Sequence, residues 1–193
     1  MTKISIFDFD GTVYYKDSLF EFWKFVLKKK PLRIIFLPIQ LFGFLLFKLY
    51  LFRGKGFKNF FLTYLFFIDQ HQLKLWIDQF WTREFPVNFR TELLERIKIH
   101  NQSDIQPVCV SASASIFIQN ICETIGIDQL ICSKVNRKFG FYYIDGKNCR
   151  GAEKIVRLKL AFNLNEIIIT EAYSDNRDDK TLLEMAEKGV FIK

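Results

Sequence analysis

Three short runs of almost unbroken apolar character, Ile4-Ser5-Ile6-Phe7, Val108-Cys109-Val110 and Ile167-Ile168-Ile169, constrain this chain more than any other feature. A strand with one wet face alternates apolar with polar residues. A run without alternation is buried on both faces, as in a parallel sheet covered by helices. Strands are expected at residues 3–8, 106–110, 129–134, 166–170 and 189–192, and helices at about 113–125, 152–162 and 179–187. Alternation of this kind gives an α/β fold, a doubly wound, Rossmann-like parallel sheet. Around Phe139-Gly140-Phe141 the residues alternate between Asn136 and Asp145, which predicts a small hairpin.

Chemistry-bearing residues collect just beyond the strands, where open α/β sheets place their active sites. The first group is Asp8-Phe9-Asp10-Gly11-Thr12, two carboxylates one residue apart followed by a turn expected to offer backbone N–H groups and a hydroxyl to an anion. The second is Ser111-Ala112-Ser113, where a hydroxyl and small residues precede a helix. Lys154 lies near the start of a helix after Gly151-Ala152-Glu153, and Tyr173-Ser174-Asp175-Asn176-Arg177-Asp178-Asp179 follows the third run. Each has a bland reading: a helix cap, a solvated lysine, an Asp-rich turn. Four of them in this order, each at or beside a strand end, argue for a site.

These motifs resemble the haloacid dehalogenase-like superfamily of phosphohydrolases, in its phosphoserine-phosphatase-like branch. The stretch from Gly146 to Lys154 is similar to the segment around that family's motif lysine, and Asp175 and Asp179 keep its four-residue separation. Asn176 departs from the Gly or Ser of many relatives and leaves the acidic pair intact. The resemblance implies a catalytic domain of residues 1–15 and 101–193, with an inserted all-α cap at 16–100. It implies Asp8 as nucleophile, forming an aspartyl-phosphate, and Asp10 as the acid and base serving the leaving oxygen and the water. Gly11, Thr12, Ser111, Ala112 and Lys154 would bind the phosphoryl group. The implied metal is Mg²⁺, held by Asp8, the Asp10 carbonyl and Asp175, with Asp179 supporting its waters or Lys154. Neither His71 nor His100 falls in a ligand-like spacing. The four cysteines form neither a C-x-x-C nor a disulfide framework; Cys109 and Cys122 read as structural, and a reducing, cytoplasmic-side compartment is expected. No charged-then-apolar leader precedes the first strand, so a cleaved signal peptide is not expected.

The net charge of +7 is concentrated in the insert. Residues 16–68 hold ten Lys/Arg against Asp17 and Glu21, together with 13 of the 23 phenylalanines. Those phenylalanines lie in apolar runs rather than spaced among Arg and Gly, which argues against nucleic acid and for an anionic membrane surface. Ser18-Leu19-Phe20-Glu21 reads as a capping box opening a helix whose face carries Leu19, Phe22, Trp23, Val26 and Leu27; Lys28-Lys29-Lys30-Pro31 ends it. Residues 32–52 are then long enough to span a bilayer, interrupted by Pro38, Gln40 and Gly43. A single crossing would put Asp8 on one side of the membrane and the other motifs on the opposite side. The segment is therefore expected to dip in and return, to lie in the interface, or to be buried in a soluble cap. Leu73, Trp76, Ile77, Phe80 and Trp81 line one face of a further helix ending before Pro86, expected to pack within the cap.

Layout alone is similar to bacterial family members acting on phosphatidylglycerophosphate at the inner membrane. The expectation is therefore a membrane-associated, Mg²⁺-dependent phosphatase on the cytoplasmic side, peripheral or re-entrant, acting on a lipid phosphate. The alternatives are a soluble phosphatase of the phosphoserine phosphatase type, in which Asp17 would meet a substrate amine, and a non-catalytic binding protein on the same fold.

Overall fold

The computed structural model describes residues 1–49, 51 and 55–193. Five parallel strands form the sheet: β1 (Thr2–Phe7), β2 (Ile105–Ala114), β3 (Gln129–Ser133), β6 (Ile167–Ser174) and β7 (Lys188–Phe191), in the order β3-β2-β1-β6-β7. This is the doubly wound sheet expected. Its middle strand, β1, has Phe7 in register with Cys109 of β2 on one side and Tyr173 of β6 on the other. Alternation along β1 splits the core: Ile4 and Ile6 pack with Val110, Leu158 and Leu182, while Phe7 joins Phe22, Trp81 and Phe117 on the opposite face. The hairpin is present as β4 (Val135–Lys138) and β5 (Phe141–Ile144), turning at Phe139 and Gly140, both with positive φ.

Two strands run further than the sequence predicts. β2 continues through Ser111-Ala112-Ser113 to Ala114, so α6 (Ser115–Thr124) starts two residues later than expected. β6 continues through Tyr173 to Ser174. Polar residues mark strand ends in sequence; here pairing with neighbouring strands keeps them extended, Tyr173 and Ser174 with β7 and Ala114 with Ser133 of β3. Beyond β6, a 3-10 turn at Arg177–Asp179 precedes a short α8 (Lys180–Glu184) rather than one helix over 179–187. α7 (Ala152–Ala161) is as expected.

Between β1 and β2 lie α1 (Ser18–Lys29), a 3-10 helix (Pro31–Phe36), α2 (Leu37–Lys48), α3 (Lys55–Phe61), a 3-10 turn (Leu62–Leu65), α4 (Gln70–Glu84) and α5 (Thr91–Asn101). α1 is not opened by a Ser18 capping box. Asp17 is the cap, accepting from the Phe20 N–H, because the Ser18 hydroxyl and N–H both turn inward to Asp10. Its buried face is Phe22, Phe25 and Val26, with Leu19, Trp23 and Leu27 partly covered. Leu73, Trp76, Ile77, Phe80 and Trp81 of α4 are all buried, as their spacing predicts. The Trp81 indole N–H donates to the Phe117 carbonyl, tying the insert to α6.

The apolar stretch is not one helix over 32–52. A 3-10 helix over Pro31–Phe36 runs directly into α2, which ends at Lys48; residues 50 and 52–54 lie outside the described residues. Only 11% of the residues in the bilayer-length segment Pro31–Lys48 are buried, so this part of the insert is not a buried core. α2 is inverted relative to a water-soluble amphipathic helix: its buried residues are Gln40 and Gly43, whereas Leu41, Phe42, Phe44 and Leu45 are exposed. Gln40 accepts from the Trp23 indole and donates to the Phe61 carbonyl, each at 3.1 Å. Gly43 admits Phe60: a Cβ there would fall 2.3 Å from the Phe60 Cβ. By contrast Leu62, Tyr64, Leu65 and Ile68 are core residues.

Candidate active site

The carboxyl ends of β1, β2 and β6 bring the sequence motifs together. The Asp8 N–H bonds the Tyr173 carbonyl at 2.9 Å, extending the β1–β6 ladder and fixing the Asp8 side chain at the top of the sheet. One Asp8 oxygen accepts from the Phe9 N–H at 2.8 Å. The other lies 3.0 Å from Lys154 Nζ and receives the Ser174 hydroxyl at 3.4 Å. Lys154 reaches in from the first turn of α7 and also bonds Asp179 at 2.6 Å. All three side chains are buried. Burial works against the Lys154 charge, but Asp8 and Asp179 outweigh it and hold its pKa above the ordinary lysine value. Burial pushes Asp179 upward in turn, against Lys154 and the Ser174 hydroxyl.

Asp10 stands apart from this cluster. Its carboxylate accepts from the Ser18 N–H (2.8 Å), the Ser18 hydroxyl (3.0 Å) and the Ser113 hydroxyl (2.5 Å). Burial, helped by the charge of Asp17, nevertheless raises it to about 7, since three hydrogen bonds do not replace lost hydration. A carboxyl that exchanges its proton near neutral pH suits both acid and base work.

Gly11 and Thr12 serve differently from expectation. Their N–H groups donate to the Lys16 and Phe9 carbonyls, and the Thr12 hydroxyl both donates to Asp175 (3.2 Å) and accepts its N–H (3.0 Å). They shape the loop and orient Asp175 instead of presenting donors to a phosphate. Gly11 has φ +74°, and a Cβ on it would lie 2.2 Å from an Asp175 oxygen, so only glycine lets that carboxylate approach. Ser111 is buried, with its hydroxyl 3.0 Å from that of Ser113. The Ala112 carbonyl is occupied by the Ser133 hydroxyl and by Lys58 from α3.

Ser18, Ser113, Ser174 and Lys58 also reach the candidate site, in roles that the sequence did not reveal. Ser18 carries the ordinary signal of a helix cap and Lys58 of a surface charge; only tertiary structure turns them toward the site. No cluster of three or more His, Cys, Asp or Glu side chains suited to a metal occurs among the described residues. Asp8 and Asp175 with a main-chain carbonyl form an all-oxygen, acidic donor set, which fits a hard ion such as Mg²⁺ completing its shell with water.

The model of the haloacid dehalogenase-like hydrolases matches residues 6–184, from the strand before Asp8 to the end of α8. The chain belongs to this family. Among curated proteins, this haloacid dehalogenase-like hydrolase is 36% identical over 91 residues to Protein CicA of Caulobacter vibrioides, a match spanning 44% of the chain and only 40% of that relative. Its fold is similar to that of a protein of unknown function from Bordetella pertussis Tohama I, with a TM-score of 0.81, 19% identity and coverage of 95% of this chain and 87% of that one. A phosphoserine phosphatase structure holding a phospho-aspartyl intermediate analogue overlays with a TM-score of 0.57 at 17% identity, covering 96% and 83% of the two chains. These likenesses at low identity establish a haloacid dehalogenase-like α/β fold with a helical insert of the phosphoserine-phosphatase kind.

Proposed function

We propose that the protein is a phosphomonoester hydrolase working through an aspartyl-phosphate. The observation that carries this reading is the pairing at the end of β1: Asp8 3.0 Å from the buried Lys154 ammonium, and Asp10 two residues on in a separate environment that raises it to about 7. A carboxyl raised toward neutral pH suits acid work, and a neighbouring one held by a buried cation is placed for attack. Asp8 attacks phosphorus as Asp10 gives its proton to the departing alcohol oxygen. Asp10, now a carboxylate, takes a proton from water that attacks the acyl-phosphate, releasing inorganic phosphate and restoring Asp8. Lys154 holds the Asp8 oxygen in place and offsets charge on the transferring group, and the Ser111 hydroxyl is available to a phosphoryl oxygen. Asp8, Asp175 and the Asp10 carbonyl would hold Mg²⁺, which supplies further charge neutralisation when bound. The test is phosphate release from p-nitrophenyl phosphate with Mg²⁺, beside Asp8→Asn. Wild-type turnover lost in the variant and on chelation supports the reading; equal background rates contradict it.

The substrate we favour is a lipid phosphate met at an anionic bilayer on the cytoplasmic side. The inverted α2 favours it: a helix that turns glutamine and glycine inward and Leu41, Phe42, Phe44 and Leu45 outward is suited to an apolar surface rather than to water. Lys24, Lys28, Lys29 and Lys30 on and after α1, in the same insert, add attraction to anionic head groups. Phosphatidylglycerophosphate in mixed micelles, run beside phosphoserine, separates this from soluble metabolism; preferential hydrolysis of phosphoserine overturns it.

A further inference from the structure

Lys58 is not explained by the fold or by the chemistry above. It projects from α3, the helix that packs against the exposed apolar α2 through Phe60 and Gly43. Its ammonium crosses from the insert to the catalytic sheet and donates to the Ala112 carbonyl at 2.5 Å, between Ser111 and Ser113. That is its one hydrogen bond among the described residues, leaving two of three donors unused. The charges of Asp10 and Asp17 favour its protonated form and that of Arg150 opposes it. Ala112 adjoins Ser113, whose hydroxyl bonds Asp10, the group proposed to meet the leaving oxygen, so Lys58 stands on the leaving-group side. Lys154, by comparison, is tied to Asp8 and Asp179 on the nucleophile side. Burial lowers the Lys58 pKa against the pull of Asp10 and Asp17, which leaves this cation poorly solvated and under-partnered.

Resting on the phosphatase reading, we propose that Lys58 binds a second anionic group carried by the substrate alcohol, of the phosphodiester class. A phosphodiester accepts the two free donors and replaces the lost hydration. The zwitterionic alcohol of phosphoserine suits the position less, because its ammonium would stand beside the Lys58 cation and Asp17, the acid expected to meet an amine, is engaged as the α1 cap. The packed α2 and α3 thus present an apolar surface outward and a lysine inward, so docking and recognition of the head group are one device.

The test uses three soluble phosphomonoesters, so that membrane binding plays no part: the deacylated head group glycerophosphoglycerol phosphate, phosphoserine and p-nitrophenyl phosphate. Wild type, Lys58→Gln and Lys58→Arg are compared by kcat/KM, with thermal melting to check the fold. The expected result is that Lys58→Gln loses about 10- to 100-fold more on the phosphodiester substrate than on p-nitrophenyl phosphate, chiefly through KM, the range for removing a charge-assisted hydrogen bond. Lys58→Arg recovers part of it. Equal losses on all three substrates, with wild type active, overturn the role of Lys58 and leave the phosphatase reading standing. A larger differential loss on phosphoserine overturns the phosphodiester assignment. Wild-type inactivity on all three removes the phosphatase reading itself.

Discussion

Leu41 and Leu45, one turn apart on the outer face of α2, are 57% and 52% exposed. Fully burying a leucine is worth about 1.5–3 kcal/mol, so completing the burial of a half-exposed one in a bilayer interface gains about 1 kcal/mol. The pair therefore contributes about 2 kcal/mol to membrane partitioning, and Leu41→Gln/Leu45→Gln should weaken binding to anionic vesicles about 30-fold. Neither residue belongs to the core, so the melting temperature and circular dichroism should stay close to wild type. Co-sedimentation across a lipid titration reads the partition coefficient directly. Unchanged vesicle binding in a folded double variant would refute the account of α2, as would a collapse of the melting temperature, which would mark these leucines as structural.

Gly11→Ala should remove most activity, because its Cβ would collide with Asp175 and the backbone sits at φ +74°; steady-state rates with intact folding by circular dichroism check this. Lys154→Met leaves buried Asp8 and Asp179 without their cation and should cost about 3–5 kcal/mol in urea denaturation at neutral pH. The loss should shrink on mild acidification, since the burial-raised Asp179 then takes a proton. Within the sheet, Arg96 of α5, with help from Tyr173 and His100, holds Glu171 of β6 down to about 2 from the ordinary 4.5. A carboxyl depressed by folding stabilises fully above its unfolded value and progressively less as pH falls toward the folded one. Acid unfolding should thus draw on Glu171 between about pH 4.5 and 2, and Glu171→Gln should flatten that part of the stability curve.

Legibility in the sequence followed how local each signal is. The parallel strands were readable because burial on both faces removes alternation, as in Ile167-Ile168-Ile169, and the α4 face because five large apolar residues repeat at helical spacing. The candidate site residues Asp8, Asp10, Lys154, Asp175 and Asp179 stood out through position at or beside strand ends. Ser18 and Thr12 did not reveal their roles, because a hydroxyl near a helix or turn looks the same whether it caps locally or bonds a carboxylate far along the chain. Here Ser18 meets Asp10 and Thr12 meets Asp175. Composition marked residues 32–52 as apolar but not which residues face inward. That is decided by Trp23 and Phe61 capturing Gln40 and by Phe60 filling the space at Gly43.

The central claim is that Asp8 carries the phosphoryl group during turnover. Rapid acid quench of the protein with radiolabelled substrate and Mg²⁺, followed by peptide mapping, tests it most directly. The account predicts label on the peptide containing Asp8, released by alkali as expected for an acyl-phosphate and absent in Asp8→Asn. Phosphate release at full rate with no labelled protein, or label retained in Asp8→Asn, would contradict it.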